Sequence, residues 1–183
     1  MKELVLVLGG ARSGKSALAE RLAGASNRVL FVATAEAGDE DMAVRIEAHK
    51  RRRPEGWDTV EEPLHLVNVL PEQAGDYDVV LIDCLTVWVS NLLLRKPDEP
   101  DQEQRMGGVA EKLLEIYAAG NATWVVVSNE VGLGVVPPTE IGRVYRDALG
   151  LVNQVFARRA DRVYATVAGL ALELKSIGAE EIE

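Results

Sequence analysis

The stretch LVLVLGGARSGKSALAERLAG, residues 4–24, changes its period in the middle. LVLVL (4–8) is a continuous aliphatic run, as expected for a strand covered on both faces. KSALAERLAG carries a helical pattern that closes on Gly24 as a C-terminal stop. Between them GGARSGKS, residues 9–16, satisfies G-x-x-x-x-G-K-[ST] directly after the strand and directly before the helix, the context the pattern requires. Gly9, Gly10 and Gly14 let the backbone curl so that successive N–H groups converge on a phosphate, with the positive end of the helix behind them. Lys15 then reaches the β- and γ-phosphates, and Ser16 offers a hydroxyl to Mg²⁺. The competing reading is a glycine-rich turn that binds nothing.

Outward from this motif the pattern alternates. RVLFVAT (28–34), DVVLIDC (78–84), TWVVVSN (123–129) and DRVYATV (161–167) are further short runs of buried-strand type. Helical patterns lie between most of them. EDMAVRIEAHKRRR (40–53) stops before Pro54, PLHLVNVL is predicted to start a helix at Pro63, and 86–94 and 101–119 are separated by the polar loop RKPDEPD. Residues 139–159 read as one long helix or two short ones. Strands alternating with helices imply a mostly parallel sheet flanked by helices. VYATVAGLALELK departs from this: two apolar runs joined by Ala168 and Gly169 predict an antiparallel C-terminal hairpin.

Composition sets the limits. A chain of 183 residues suits a single domain, 1–183, and 48% hydrophobic with 27% charged residues is ordinary for a globular enzyme. The net charge of −9 argues against general nucleic-acid binding, which needs a basic face. One cysteine, Cys84, permits neither an intrachain disulfide nor a thiolate metal cluster. No segment reaches the apolar length of a membrane span, and MKELVLVLGG runs into glycines where a leader would carry a cleavage site, so a cytoplasmic location is expected.

Other residues extend the chemistry. Asp83 follows four apolar residues and should stand at the C-terminal edge of the sheet, placed for the Mg²⁺ shell; the alternative is a carboxylate that caps the next helix. Met42, Arg45, His49 and Arg53 share a helical face, with Ile46 beside them. His49 is then either a partly packed histidine with Lys50, Arg51 and Arg52 in solvent, or a neutral imidazole kept so by its cationic neighbours and able to attack phosphorus. A simple kinase has no use for such a nucleophile, whereas a nucleotidyltransferase working by double displacement does. SNEVGLGVVPP (128–138) brings Asn129 and Glu130 out at the edge where α/β sites form. Glu130 is either a proton acceptor or water-mediated metal ligand, or the partner of a nearby arginine. Tyr145, Leu149, Val152 and Phe156 make a helical stripe that core or subunit packing explains first, and Arg143, Arg146 and Asp147 are candidates for substrate or subunit contact.

GGARSGKS, FVATAE, DEDMAVRIEAHKRRRPEGWDTVEEP, IDCLTVWVSNLL, SNEVGLGVVP and YRDALGLVNQ, in this order and spacing, resemble the bifunctional adenosylcobinamide kinase and adenosylcobinamide-phosphate guanylyltransferase family of cobalamin biosynthesis. The resemblance implies a P-loop NTPase fold of RecA-like type. It implies two reactions: phosphorylation of adenosylcobinamide by a nucleoside triphosphate, ATP or GTP, and transfer of GMP from GTP to adenosylcobinamide phosphate. It also implies Mg²⁺ and a homo-oligomer, a trimer. Gly9, Gly10, Ala11, Arg12, Ser13, Gly14, Lys15 and Ser16 match the family's nucleotide loop, and Thr34, Ala35 and Glu36 a second nucleotide-contacting segment. His49 matches the guanylylated histidine, Lys50, Arg51, Arg52 and Arg53 the contacts after it, and Glu61 and Asp83 acidic binding positions. Some relatives carry Glu where this chain has Asp83. A RecA-like ATPase module would share the loop and Asp83, and a simple small-molecule kinase would explain everything except His49 and its arginines.

Overall fold

A computed structural model describes residues 2–26, 28–36, 47, 54 and 56–182. The described strands are β1 (Leu4–Gly9), β2 (Val29–Ala33), β3 (Asp58–Glu61), β4 (Val79–Asp83), β5 (Thr123–Asn129), β6 (Arg162–Val167) and β7 (Leu170–Glu173). They form one sheet in the order β3-β2-β4-β5-β1-β6-β7, parallel except for the β6–β7 pair. The helices are α1 (Lys15–Ala23), α2 (Leu66–Gln73), α3 (Leu85–Arg95), α4 (Gln102–Ala119) and α5 (Glu140–Arg159).

The period-2 geometry of strands divides the core in two. Leu4 and Leu6 of β1, Val80 and Ile82 of β4, and Trp124 and Val126 of β5 face a layer built by α2, α3, α4 and α5, where Trp88, Leu113, Leu149 and Phe156 are fully buried. Their alternates Val5, Val7, Leu81, Val125 and Val127 pack under α1 with Leu18, Ala19 and Ala23. Both faces are covered, which is why these strands read as unbroken apolar runs. The stripe on α5 is core: Leu149, Val152 and Phe156 are buried and Tyr145 packs against the same cluster.

The structure corrects one expectation, adds one strand and decides one open alternative. The helix predicted to start at Pro63 begins at Leu66, because the Glu62 carboxylate accepts from the N–H groups of Leu64 and His65, both at 2.8 Å, and holds residues 62–65 as a turn. β3 was not anticipated: DTVE is short, exposed and polar, an edge strand that joins the sheet through its backbone pairing with β2. Residues 139–159 are one helix, entered at Thr139, whose hydroxyl accepts from Gly142 N at 3.2 Å. The C-terminal hairpin is as predicted, with Ala168 (φ 51°) and Gly169 (φ 82°) both left-handed in the two-residue turn. Of the helix predicted over 40–53 only Glu47 is among the described residues, and it is helical.

Candidate functional site

The strand register assembles the site. Gly9 stands beside Asn129 on one side and Thr166 on the other, Asp83 beside Val127 and Ala33, and Ala33 beside Glu61. The phosphate loop, Asp83, Glu61 and the start of segment 34–36 therefore leave the sheet at one edge. This is the edge where α/β proteins bind ligands, outside the carboxyl ends of the strands. β5 lies between β1 and β4, so Ser128, Asn129 and Glu130 stand between the loop and Asp83.

The loop folds as its glycines require. Gly14 adopts φ 99°, which side chains disfavour, and hands the chain into α1, where Leu18 N–H donates to its carbonyl at 3.0 Å. Arg12 is also left-handed, at φ 57°, and Ser13 N–H closes back on Gly10 O at 3.3 Å. Ala11, Arg12 and Gly14 are exposed, while Ser13 is buried. Lys15 Nζ donates to Gly10 O at 3.0 Å, folding the side chain across the mouth of the loop. Burial holds the Lys15 ammonium below the ordinary lysine range, an effect that Cys84 and the Asp83 carboxylate oppose. Loop cation and strand-end carboxylate thus sit within each other's field, although they lie in different parts of the sequence.

Thr34 is fully buried, and its hydroxyl donates to Cys84 O at 2.8 Å and accepts from Cys84 N–H at 2.9 Å. Its side chain ties β2 to the end of β4, so Ala35 and Glu36 are the parts of that segment open to solvent. Asn91 on α3 steadies the same segment by donating to Thr34 O at 2.9 Å and Pro63 O at 3.1 Å. Glu61 is exposed and Asp83 half-buried. Cys84 is no nucleophile: burial pushes its thiol up to about 11, with Asp83 adding to the shift. Ser16 is half-buried in the first turn of α1. His49, Lys50, Arg51, Arg52 and Arg53 lie outside the described residues.

Glu130 bonds within its own loop, accepting from Gly132 N–H at 2.6 Å, while its N–H donates to Gly9 O at 3.2 Å. Arg143 donates to the carbonyls of Pro137 and Pro138, and Arg146 pairs with Asp147. The peptide of Asn129 is fixed from two helices: its N–H donates to Thr86 Oγ1 at 2.7 Å and its carbonyl accepts from Asn153 Nδ2 at 3.0 Å. Tyr145 OH donates to Thr86 O at 3.3 Å, and burial raises its phenol to about 12. Thr86, Asn91, Asn153 and Thr166 were not singled out from the sequence. Asn153 carried a usable signal, since a polar side chain beside Val152 on an otherwise apolar face needs a partner.

Comparisons with known proteins agree with this geometry. A solved RadB recombinase has the same fold, with a TM-score of 0.51 at 17% identity over 89% of this chain and 73% of that one. The bifunctional adenosylcobalamin biosynthesis protein CobP of Pseudomonas aeruginosa is 50% identical over 171 residues, 93% of this chain and 96% of its own length. The corresponding CobU proteins of Escherichia coli and Salmonella typhimurium are 41% and 39% identical, each over 94% of this chain and 99% of their own length. The profile described as cobinamide kinase / cobinamide phosphate guanyltransferase matches residues 5–174, and the chain belongs to that family.

Proposed function

We propose that this chain carries out both reactions of its family in cobalamin biosynthesis, as a cobinamide kinase and a cobinamide phosphate guanylyltransferase. The observation that supports this most is the loop Gly9–Ser16 at the sheet edge with Lys15 in the field of Asp83, in a chain that matches that family from end to end of its sheet. In the first reaction the aminopropanol hydroxyl of adenosylcobinamide attacks the γ-phosphorus of ATP or GTP. The bond to the β–γ bridging oxygen breaks, the nucleoside diphosphate leaves, and the hydroxyl proton is released. Lys15 and the loop N–H groups stabilise the charge on the phosphoryl oxygens.

In the second reaction an imidazole nitrogen of His49 attacks the α-phosphorus of GTP, forming a P–N bond and releasing pyrophosphate. A phosphate oxygen of adenosylcobinamide phosphate then displaces the imidazole and takes the GMP, giving adenosylcobinamide-GDP. Lys50, Arg51, Arg52 and Arg53 hold the phosphates during this exchange. Ala35, Glu36 and Glu61 complete the nucleotide contacts, and Thr34, buried and bonded to Cys84, holds segment 34–36 in place behind them.

Ser16 and Asp83 would hold Mg²⁺. Both are hard oxygen donors, and Mg²⁺ commonly takes one or two protein ligands and completes its octahedron with phosphate and water oxygens. A Mg²⁺ ion held by these two residues would supply positive charge against the phosphates. We also read the enzyme as a homo-oligomer, a trimer, working in the cytoplasm without nucleic acid; no described helix is long and apolar enough to cross a membrane.

The test is product analysis with adenosylcobinamide and nucleoside triphosphate. Wild-type protein should form the phosphorylated corrinoid and then, with GTP, the GDP-linked corrinoid and pyrophosphate. Lys15→Ala should lower the phosphorylation rate by about a hundredfold or more while the protein stays folded. Triphosphate hydrolysis with no corrinoid product would favour a RecA-like ATPase module instead.

A further inference from the structure

The phosphate loop is pinned from behind by a strand outside the motif. Thr166, near the end of β6, is buried, and its hydroxyl donates to Leu8 O at 2.9 Å while lying 2.7 Å from the buried Ser13 Oγ. A hydroxyl has one proton. Since Thr166 gives its proton to Leu8, the Ser13 hydroxyl must donate to Thr166. The Ser13 side chain is therefore committed to β6, away from the concave side of the loop. One turn further on, Gly169 N–H donates to Ser13 O at 2.9 Å. Side chain and carbonyl of Ser13, in the middle of the loop, are both held by the C-terminal hairpin.

Packing makes the same connection. A Cβ on Gly9 would lie 2.1 Å from Thr166 Oγ1, 2.5 Å from Ser13 Oγ and 2.7 Å from Thr166 O, so Gly9 is needed for closeness to β6 as well as for curvature. A Cβ on Gly14 would meet the Gly169 Cα at 3.4 Å.

We propose that Thr166 is a positioning residue for nucleotide use: through Ser13 it fixes the curvature of Gly9–Ser16, and so the direction of the N–H groups that receive the triphosphate. This rests on the reading of that loop as the triphosphate cradle. Thr166 touches no reacting atom; it sets the shape of the group that does. The Gly169 contact extends the same function to the hairpin turn.

The experiment compares wild type, Thr166→Val and Thr166→Ser in full-length protein. Valine keeps the shape and removes the hydroxyl, whereas serine keeps the hydroxyl and removes a methyl. Direct GTP binding, the KM values for triphosphate and corrinoid, and amide hydrogen exchange of the loop are measured together. We expect Thr166→Val to weaken GTP binding about tenfold, the effect of losing one or two buried hydrogen bonds. Exchange in residues 9–16 should be faster, and the KM for the corrinoid unchanged. Thr166→Ser should restore GTP binding to within about twofold of wild type, since the hydrogen bonds return. A folded Thr166→Val protein with wild-type GTP affinity and wild-type loop exchange would overturn the proposal, as would a serine variant as impaired as the valine one. If Thr166→Val does not fold, Ser13→Ala is read in its place, because it removes the hydroxyl that donates to Thr166 and leaves the Thr166–Leu8 bond intact. Faster loop exchange with weaker GTP binding then supports the proposal, and no change in either overturns it. Failure of the wild-type protein to bind GTP at all would instead remove the underlying reading of the loop.

Discussion

At the scale of single residues, sequence neighbours and spatial neighbours diverge most around Asp83. The sequence placed it at a strand end, and the fold adds that its carboxylate supports the charge of Lys15. Asp83→Asn keeps the shape and removes the charge, so the apparent Mg²⁺ affinity of the kinase reaction should fall by roughly tenfold, within the range seen when a metal's supporting groups are altered. A Mg²⁺ titration that superimposes on wild type would make Asp83 structural. Its neighbour Cys84 gives a pH prediction. Burial raises the thiol from 9.0 to about 11, so the folded protein keeps a proton that the unfolded chain loses. That contribution to stability is complete below pH 9 and is lost as pH rises toward about 11. Denaturant midpoints should therefore fall over this window and fall less in Cys84→Ala, and native Cys84 should resist alkylation at neutral pH. The support that Asp83 gives to Lys15 was not legible beforehand, because it depends on which groups folding brings close.

At the scale of elements, what could be read and what could not separate cleanly by physical cause. LVLVL, DVVLIDC and TWVVVSN announce themselves because a strand covered on both faces must be apolar throughout. Ala168-Gly169 announces a hairpin because it breaks two apolar runs and its glycine takes a left-handed turn position freely, although Ala168 also ends up left-handed there. β3 was silent, since an exposed edge strand needs only a backbone to pair. The start of α2 was misjudged because the Glu62 carboxylate organises a turn over 62–65 where Pro63 was expected to open the helix. Asn91 shows how a helix can serve a site it does not enter: it clamps the carbonyls of Thr34 and Pro63 across two connections. Asn91→Ala leaves both without this donor and should cost about 1–3 kcal/mol in stability, measured by denaturant unfolding. If segment 34–36 contacts nucleotide, the KM for GTP should rise in the same variant while the KM for the corrinoid does not.

At the scale of the molecule, one parallel sheet delivers the phosphate loop, Asp83, Glu61 and the end of β5 to a single edge. This explains why residues scattered from Gly9 to Thr166 can act together. That the loop Gly9–Ser16 and Asp83 leave the sheet at one edge was legible because each follows an unbroken apolar strand. The support behind the loop, Thr166, was not, because a hydroxyl near the end of a strand acquires meaning only from its partner. Family membership rests on the match over residues 5–174 and on relatives up to 50% identical. What distinguishes the account from that of a kinase alone is the proposal that His49 carries GMP. The most direct measurement incubates the protein with Mg²⁺ and GTP labelled at the α-phosphate, without corrinoid, and examines the protein-bound label. Wild type should become labelled through a bond that is labile in acid and stable in alkali, as expected when protonation makes imidazole a good leaving group. His49→Ala should remain unlabelled while it still phosphorylates adenosylcobinamide. Labelling of His49→Ala to the wild-type level, or a wild-type label that survives acid as a phosphoester would, contradicts the account.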